Sequence, residues 1–142
     1  MGLSVRSFDP GVRALLKERI IALTELQARS FGVEAEINYV AGYPIVINAA
    51  AETALAIAVA KELIGAENVV DHMEQLTGSE DFAYMLQACP GSLVRLGNGP
   101  ADAGSMLHNP HYDFNDANLT QGAAFWCALV ERFLEGGVGQ HR

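Results

Sequence analysis

The sequence predicts an α/β fold in two parts, and three observations carry that prediction. The first forty residues alternate strand-like and helix-like patterns. Glycine and proline then punctuate the chain at Gly42 and Pro44. Beyond them an almost wholly apolar helix leads into short strand-like runs. The 142 residues are 50% hydrophobic and 18% charged, enough apolar side chain for an ordinary core and too hydrophobic for disorder.

Leu3 to Phe8 alternates as a strand does, with Leu3 and Val5 on one face and Arg6 and Phe8 on the other. Asp9-Pro10 opens a helix, the aspartate as N-cap and the proline at the first helical position. Val12, Leu15, Leu16, Ile20, Leu23 and Leu26 recur at helical spacing, and Gly32 is placed to end the run. Val33 to Val40 alternates again, with Val33, Ala35, Ile37 and Tyr39 inward. The whole reads as a strand–helix–strand unit. Past the expected hinge, Asn48 is the expected cap of a helix from Ala49 to Ile64 that is apolar on nearly every side and stopped by Gly65. Next come a short strand at Asn68–Asp71, a short helix at about Asp81–Gln87, a turn at Cys89-Pro90-Gly91 and a strand at Ser92–Leu96. Gly97-Asn98-Gly99-Pro100 begins a long loop. The last helix runs from about Leu119 to Leu134, with Asn118 and Gln121 as a capping box. Leu119, Ala123, Trp126, Val130 and Phe133 form its expected core stripe, and Gly136 and Gly137 close it.

A formal net charge of -8 disfavours nucleic-acid backbones and anionic membrane surfaces as partners. Cys89 and Cys127 are too few for a disulfide framework, and their apolar settings predict buried, reduced thiols. MGLSVRSFDP has neither a basic leader nor an apolar core of the secretory kind. The longest apolar stretch, Thr53 to Ala60, is too short to span a membrane, so a soluble cytoplasmic location is expected.

Chemistry concentrates in LHNPHYDFND, residues 107–116. His108 and His111 are potential metal ligands, and Asp113 and Asp116 could orient their rings. The plainer reading is a polar loop whose asparagines and aspartates build turns and cap the next helix. Thr77-Gly78-Ser79-Glu80-Asp81 is either a seat for a carboxylate at a helix start or ordinary capping by Ser79. Arg6 could fork onto a carboxylate or lie solvated on its strand. His72 and His141 stand alone. Phosphate-loop, nucleophile-elbow and His-Glu-x-x-His patterns are absent.

Taken in order, VRSFDP and a helix, AGYP, GSEDFAY, LGNG, LHNPHYDFND and a final helix resemble the C-terminal portion of a family of two-zinc amidohydrolases and peptidases. That family contains hippurate hydrolases, N-acyl-amino-acid amidohydrolases and indoleacetyl-amino-acid hydrolases. The resemblance covers the chain to about Leu134, and GSEDF and H-x-P-x-Y-D-F-N-D are its specific motifs. It implies that residues 1–43 are the second half of a small lid and dimerisation domain. Residues 44–142 would then be the C-terminal half of a metallopeptidase-type α/β catalytic domain. It also implies a glutamate acting as general base on a metal-bridging water that attacks the amide of a small N-acyl amino acid. By the same resemblance His108 matches the last metal ligand. Arg6 matches a lid arginine that holds the substrate carboxylate, and Ser79 matches a hydroxyl lining that pocket. His111 has no matched role.

The family's other metal ligands and its paired glutamate have no counterpart in these residues, and Cys89, followed by Pro90, cannot substitute. The expectation is a C-terminal fragment with no catalytic residue of its own. Zinc or manganese would belong to the complete enzyme, with none held tightly here. The alternative is a non-catalytic, self-associating module that keeps the lid's association surface, because the apolar helix and the lone strand–helix–strand unit both need covering. Homo-oligomers fit both readings.

Overall fold

A computed structural model describes residues 1–99 and 107–137. Its elements are four α-helices: α1 (Pro10–Ser30), α2 (Ala50–Ile64), α3 (Phe82–Ala88) and α4 (Asn118–Gly137). A single 3₁₀ turn spans Ala66–Asn68. The chain divides into two compact units. One combines Met1–Ile47 with Glu74–Cys89. The other combines Asn48–Met73 with the described residues from Pro90 onward.

The first unit is built on α1. Asp9 sits in extended backbone (φ -136°, ψ 131°), and its carboxylate accepts the Val12 N–H at 2.8 Å. Pro10 occupies the start, where its missing N–H costs nothing. At the other end the Gly32 N–H donates to the Arg29 carbonyl and the Val33 N–H to that of Ala28. Gly32 itself lies at φ +69°, a Schellman closure that glycine makes without steric cost. Two cations one turn apart on α1 hold the segment at residues 39–43. Arg13 donates to the carbonyls of Gly42 (2.6 Å) and Tyr43 (2.8 Å), and the Lys17 ammonium lies 5.1 Å from the centre of the Tyr39 ring. Tyr43 meets Tyr84 of α3 edge-to-face with centroids 6.1 Å apart, and Ala83 beside it is fully buried.

The expected strands Leu3–Phe8 and Val33–Val40 are not formed, and no strand is present among the described residues. The same holds for Asn68–Asp71 and Ser92–Leu96. Alternation records which side of a strand would be covered, but a strand exists only when a neighbour accepts and donates its backbone bonds. Ile37 and Tyr39 are half-buried while Glu34, Glu36 and Asn38 are exposed, so part of the expected register survives without a sheet. The expected α1 stripe is only half covered: Leu16 and Ile20 are partly buried, while Val12, Leu15, Leu23 and Leu26 face solvent.

The second unit packs α2 on α4, with Ala56 and Val59 buried in α2. Gly65 ends α2 at φ +86°. The helix has no side-chain cap. Asn48, the expected cap, instead bonds both backbone groups of Leu93, donating from Nδ2 to its carbonyl (3.1 Å) and accepting its N–H at Oδ1 (2.8 Å). The reason is competition: a carboxamide that can satisfy a neighbouring chain at both ends does not turn back to its own helix. The Ala49 N–H donates to Gly91, and the Thr53 hydroxyl bonds the Ala49 carbonyl and Ser92 Oγ. Ion pairs at 2.5 Å join Glu62 of α2 to Arg132 of α4, and Lys61 to Asp71.

On α4 the expected core stripe is the exposed one: Leu119, Trp126, Val130 and Phe133 are between 53% and 65% exposed, and Ala123 is exposed too. The covered face is Gly122, Phe125 and Leu129 with Ala124 and Ala128, and a side chain at Gly122 would meet Leu96 at 3.6 Å. A helix apolar on two faces carries two valid periodic stripes, and periodicity does not choose between them. Cys127 lies on the outer face of α4. It and Cys89 are exposed, contrary to the buried thiols expected.

Candidate functional site

The loop ahead of α4 is shaped almost wholly by asparagine side chains. Asn109 Oδ1 accepts the His111 N–H at 2.9 Å, and the Asn109 carbonyl accepts the Tyr112 N–H at 2.9 Å. The result is a tight turn with Pro110 at its second position, where a fixed φ is an advantage. His108, just before it, sits at φ +64°, the only positive-φ residue other than glycine among those described. That conformation is uncommon for a residue with a Cβ and is held only where its surroundings impose it.

After the turn, the loop is tied to Gly97-Asn98-Gly99. Asn98 Nδ2 donates to the Asp113 carbonyl (3.0 Å), and its Oδ1 accepts the Asn115 N–H (2.8 Å). Asn115 Oδ1 accepts the Ala117 N–H (3.1 Å), and Asn118 donates from Nδ2 to the Gly97 carbonyl (2.8 Å). The capping box expected of Asn118 and Gln121 is therefore not made. Asn118 is already inside the helix and its amide is spent on Gly97, while Asn115 serves the helix entrance. The plainer reading of the loop, turns built by its amides, describes its geometry.

Arg6 and Ser79 belong to the first unit. The Arg6 guanidinium donates to the Thr77 carbonyl, so residue 6 is tied to the loop that carries Ser79 two residues later. Ser79 is exposed and does not cap α3; the position before that helix is Asp81, without a side-chain cap bond. No three His, Cys, Asp or Glu side chains among the described residues are grouped to hold a metal ion. Sequence reasoning missed Asn98, Asn115 and Arg13. The available signal was chemical: a carboxamide next to glycine can stand in for a peptide group, and arginine can fork onto carbonyls.

The family model for peptidase family M20/M25/M40 matches residues 2–132, and the chain belongs to that family. It is similar to hippurate hydrolase of Campylobacter jejuni, 30% identical over 133 residues that make up 94% of this chain and 34% of the relative. It is 30% identical over 132 residues to N-acetyl-L-cysteine deacetylase of Bacillus subtilis, covering 93% of this chain and 30% of the relative. IAA-amino acid hydrolase ILR1-like 4 of Arabidopsis thaliana is 29% identical over 140 residues, or 94% and 32%. The chain spans about a third of the length of these relatives. No solved structure matches it significantly. No helix among the described residues is long and apolar enough to cross a membrane.

Proposed function

We propose that these residues are the carboxy-terminal part of a metal-dependent amidohydrolase that cleaves the amide bond of N-acyl amino acids or small peptides. The family match over residues 2–132, with relatives named as hydrolases and deacetylases of such compounds, carries the reading. In it, residues 1–43 belong to a lid and residues 44–142 to the catalytic domain. His108 is one ligand of a zinc or manganese centre, Arg6 holds the substrate carboxylate, and Ser79 lines the same pocket. An imidazole suits such a metal, and a guanidinium suits a carboxylate. A single histidine does not assemble a metal site, so the 142 residues alone are proposed to be inactive, and no catalytic step is assigned to them. The test is hydrolysis of N-benzoyl and N-acetyl amino acids by the 142-residue protein with zinc or manganese added. No turnover is expected. Robust turnover that is lost in His108→Ala would overturn the incompleteness.

A second reading has its own support in the exposed apolar faces of α1 and α4. In it the chain is a self-associating module, its exposed leucines and Trp126 buried against a second copy. Sedimentation velocity over a wide concentration range tests this second reading. A species that stays monomeric throughout rejects self-association.

A further inference from the structure

We infer that Asn98 is the positioning residue of the histidine loop, through a two-way clasp that needs a donor and an acceptor on the same side chain. Its Nδ2 donates to the Asp113 carbonyl at 3.0 Å and its Oδ1 accepts the Asn115 N–H at 2.8 Å. These two backbone groups flank Phe114. A neighbouring peptide in a sheet satisfies a strand in this manner, and here a side chain does it instead. The main chain of Asn98 adds a longer contact, its carbonyl accepting from Asn115 Nδ2 at 3.4 Å.

The clasp ties the far end of the loop to residues 97–99 by side-chain and main-chain hydrogen bonds. His108, His111, Tyr112, Asp113, Phe114 and Asn115 are all exposed, so burial does not fix their backbone. The Asn109 turn sets the local shape of the loop. The tie to residues 97–98 fixes the far end of the loop, and His108 keeps its left-handed backbone at the near end. Asn98 itself is half-buried. Alanine provides neither half of the clasp. Aspartate at neutral pH provides only acceptors, and one of its oxygens would face the Asp113 carbonyl. A protonated carboxyl, by contrast, donates and accepts at once.

The importance of the clasp for function rests on the reading of His108 as a metal ligand, but the clasp can be tested apart from it. The experiment is hydrogen exchange by NMR on the labelled 142-residue protein, expressed as protection of the Asn115 amide relative to its intrinsic rate, with the backbone shifts of His108 as a second readout. Asn98→Ala is expected to lower Asn115 protection about five- to tenfold, the loss of one net hydrogen bond, and to move His108 out of its left-handed backbone. Asn98→Asp is the decisive variant. The Asp113 carbonyl carbon shift, which reports the donated bond, should be close to wild type while the new carboxyl is protonated and should move beyond the wild-type change as pH rises and the carboxyl ionises, whereas the Asn115 N–H keeps an acceptor throughout. A merely space-filling role gives no such pH dependence. Unchanged protection in Asn98→Ala, or an Asp113 carbonyl shift in Asn98→Asp that changes with pH no more than in the wild type, overturns the clasp. The ligand reading is addressed separately, by the zinc content of the complete enzyme with and without His108→Ala: an unchanged zinc content rejects that reading, while the exchange and carbonyl-shift data alone decide the clasp.

Discussion

The two units solve the same backbone problem differently. In the second, the segment at Gly91–Leu93 and the loop at Asp113–Asn115 are each satisfied by an asparagine carboxamide, Asn48 in one case and Asn98 in the other. In the first, the alternating segments Leu3–Phe8 and Val33–Val40 pair with no strand among the described residues, and α1 grips Tyr39, Gly42 and Tyr43 through Arg13 and Lys17. The comparison teaches that an apolar alternation is only half an instruction. The other half is a partner for the N–H and C=O groups, and a side chain can supply it where a strand does not.

The largest expected effect contrasts the buried seam of the second unit with the open helix of the first. Val59 is 3% exposed where α2 carries its buried face, so Val59→Asp leaves an unpaired charge there and is expected to cost more than about 3 kcal/mol. Leu23, at 67% exposure on α1, should tolerate the same change within about 0.5 kcal/mol. Urea denaturation followed by helical circular dichroism measures both. Equal losses would mean that the face of α1 described as open is in fact covered, as self-association would cover it. A middling effect is expected for Asn48→Ala, which removes both bonds to Leu93 and should cost about 1–2 kcal/mol in the same titration. No change would show that water replaces the carboxamide at no cost and would narrow the contrast between the units.

The smallest effect concerns the ion pair of Lys61 with Asp71. The hydrogen bond and charge of Lys61 hold the Asp71 carboxyl below its ordinary value of 3.8. A carboxyl whose pKa is lowered by folding contributes stability above that ordinary value and loses the contribution as pH falls through the lowered one. Lys61→Met should therefore return the Asp71 titration, followed by NMR, to the ordinary range and leave stability at neutral pH nearly unchanged, since the pair is solvent-exposed.

The start of α1 and the glycine stops of α1 and α2 were legible in the sequence, unlike the caps expected of Asn48, Ser79 and Asn118. Asp9-Pro10, Gly32 and Gly65 act through bonds and backbone angles within a few residues, and each ends its helix as the local chemistry dictates. Features that were not legible depended on distant partners: whether Leu3–Phe8 finds a neighbouring strand, and which of two apolar stripes α4 turns inward. Asn48 shows the two cases in one residue, a good cap by composition that is drawn away by Leu93, 45 residues further on. The histidine loop was legible as polar and turn-rich. Spacing alone did not assign roles to His108, Arg6 or Ser79; the roles proposed for them rest on the family resemblance of the surrounding motifs. His141 lies outside the described residues.

One consequence of the Asn98 clasp concerns time rather than shape. Asn98 is followed by Gly99, whose missing side chain leaves its amide nitrogen unshielded. That nitrogen can attack the Asn98 carboxamide carbon, expelling ammonia, and water then opens the ring to aspartate or isoaspartate. While both clasp bonds are made, the carboxamide is restrained by Asp113 and Asn115. Every opening of the loop offers the reaction another chance, and its product lacks the donor that closes the loop. The acid content at position 98 in an aged sample is thus a cumulative record of how long the histidine loop has stood open.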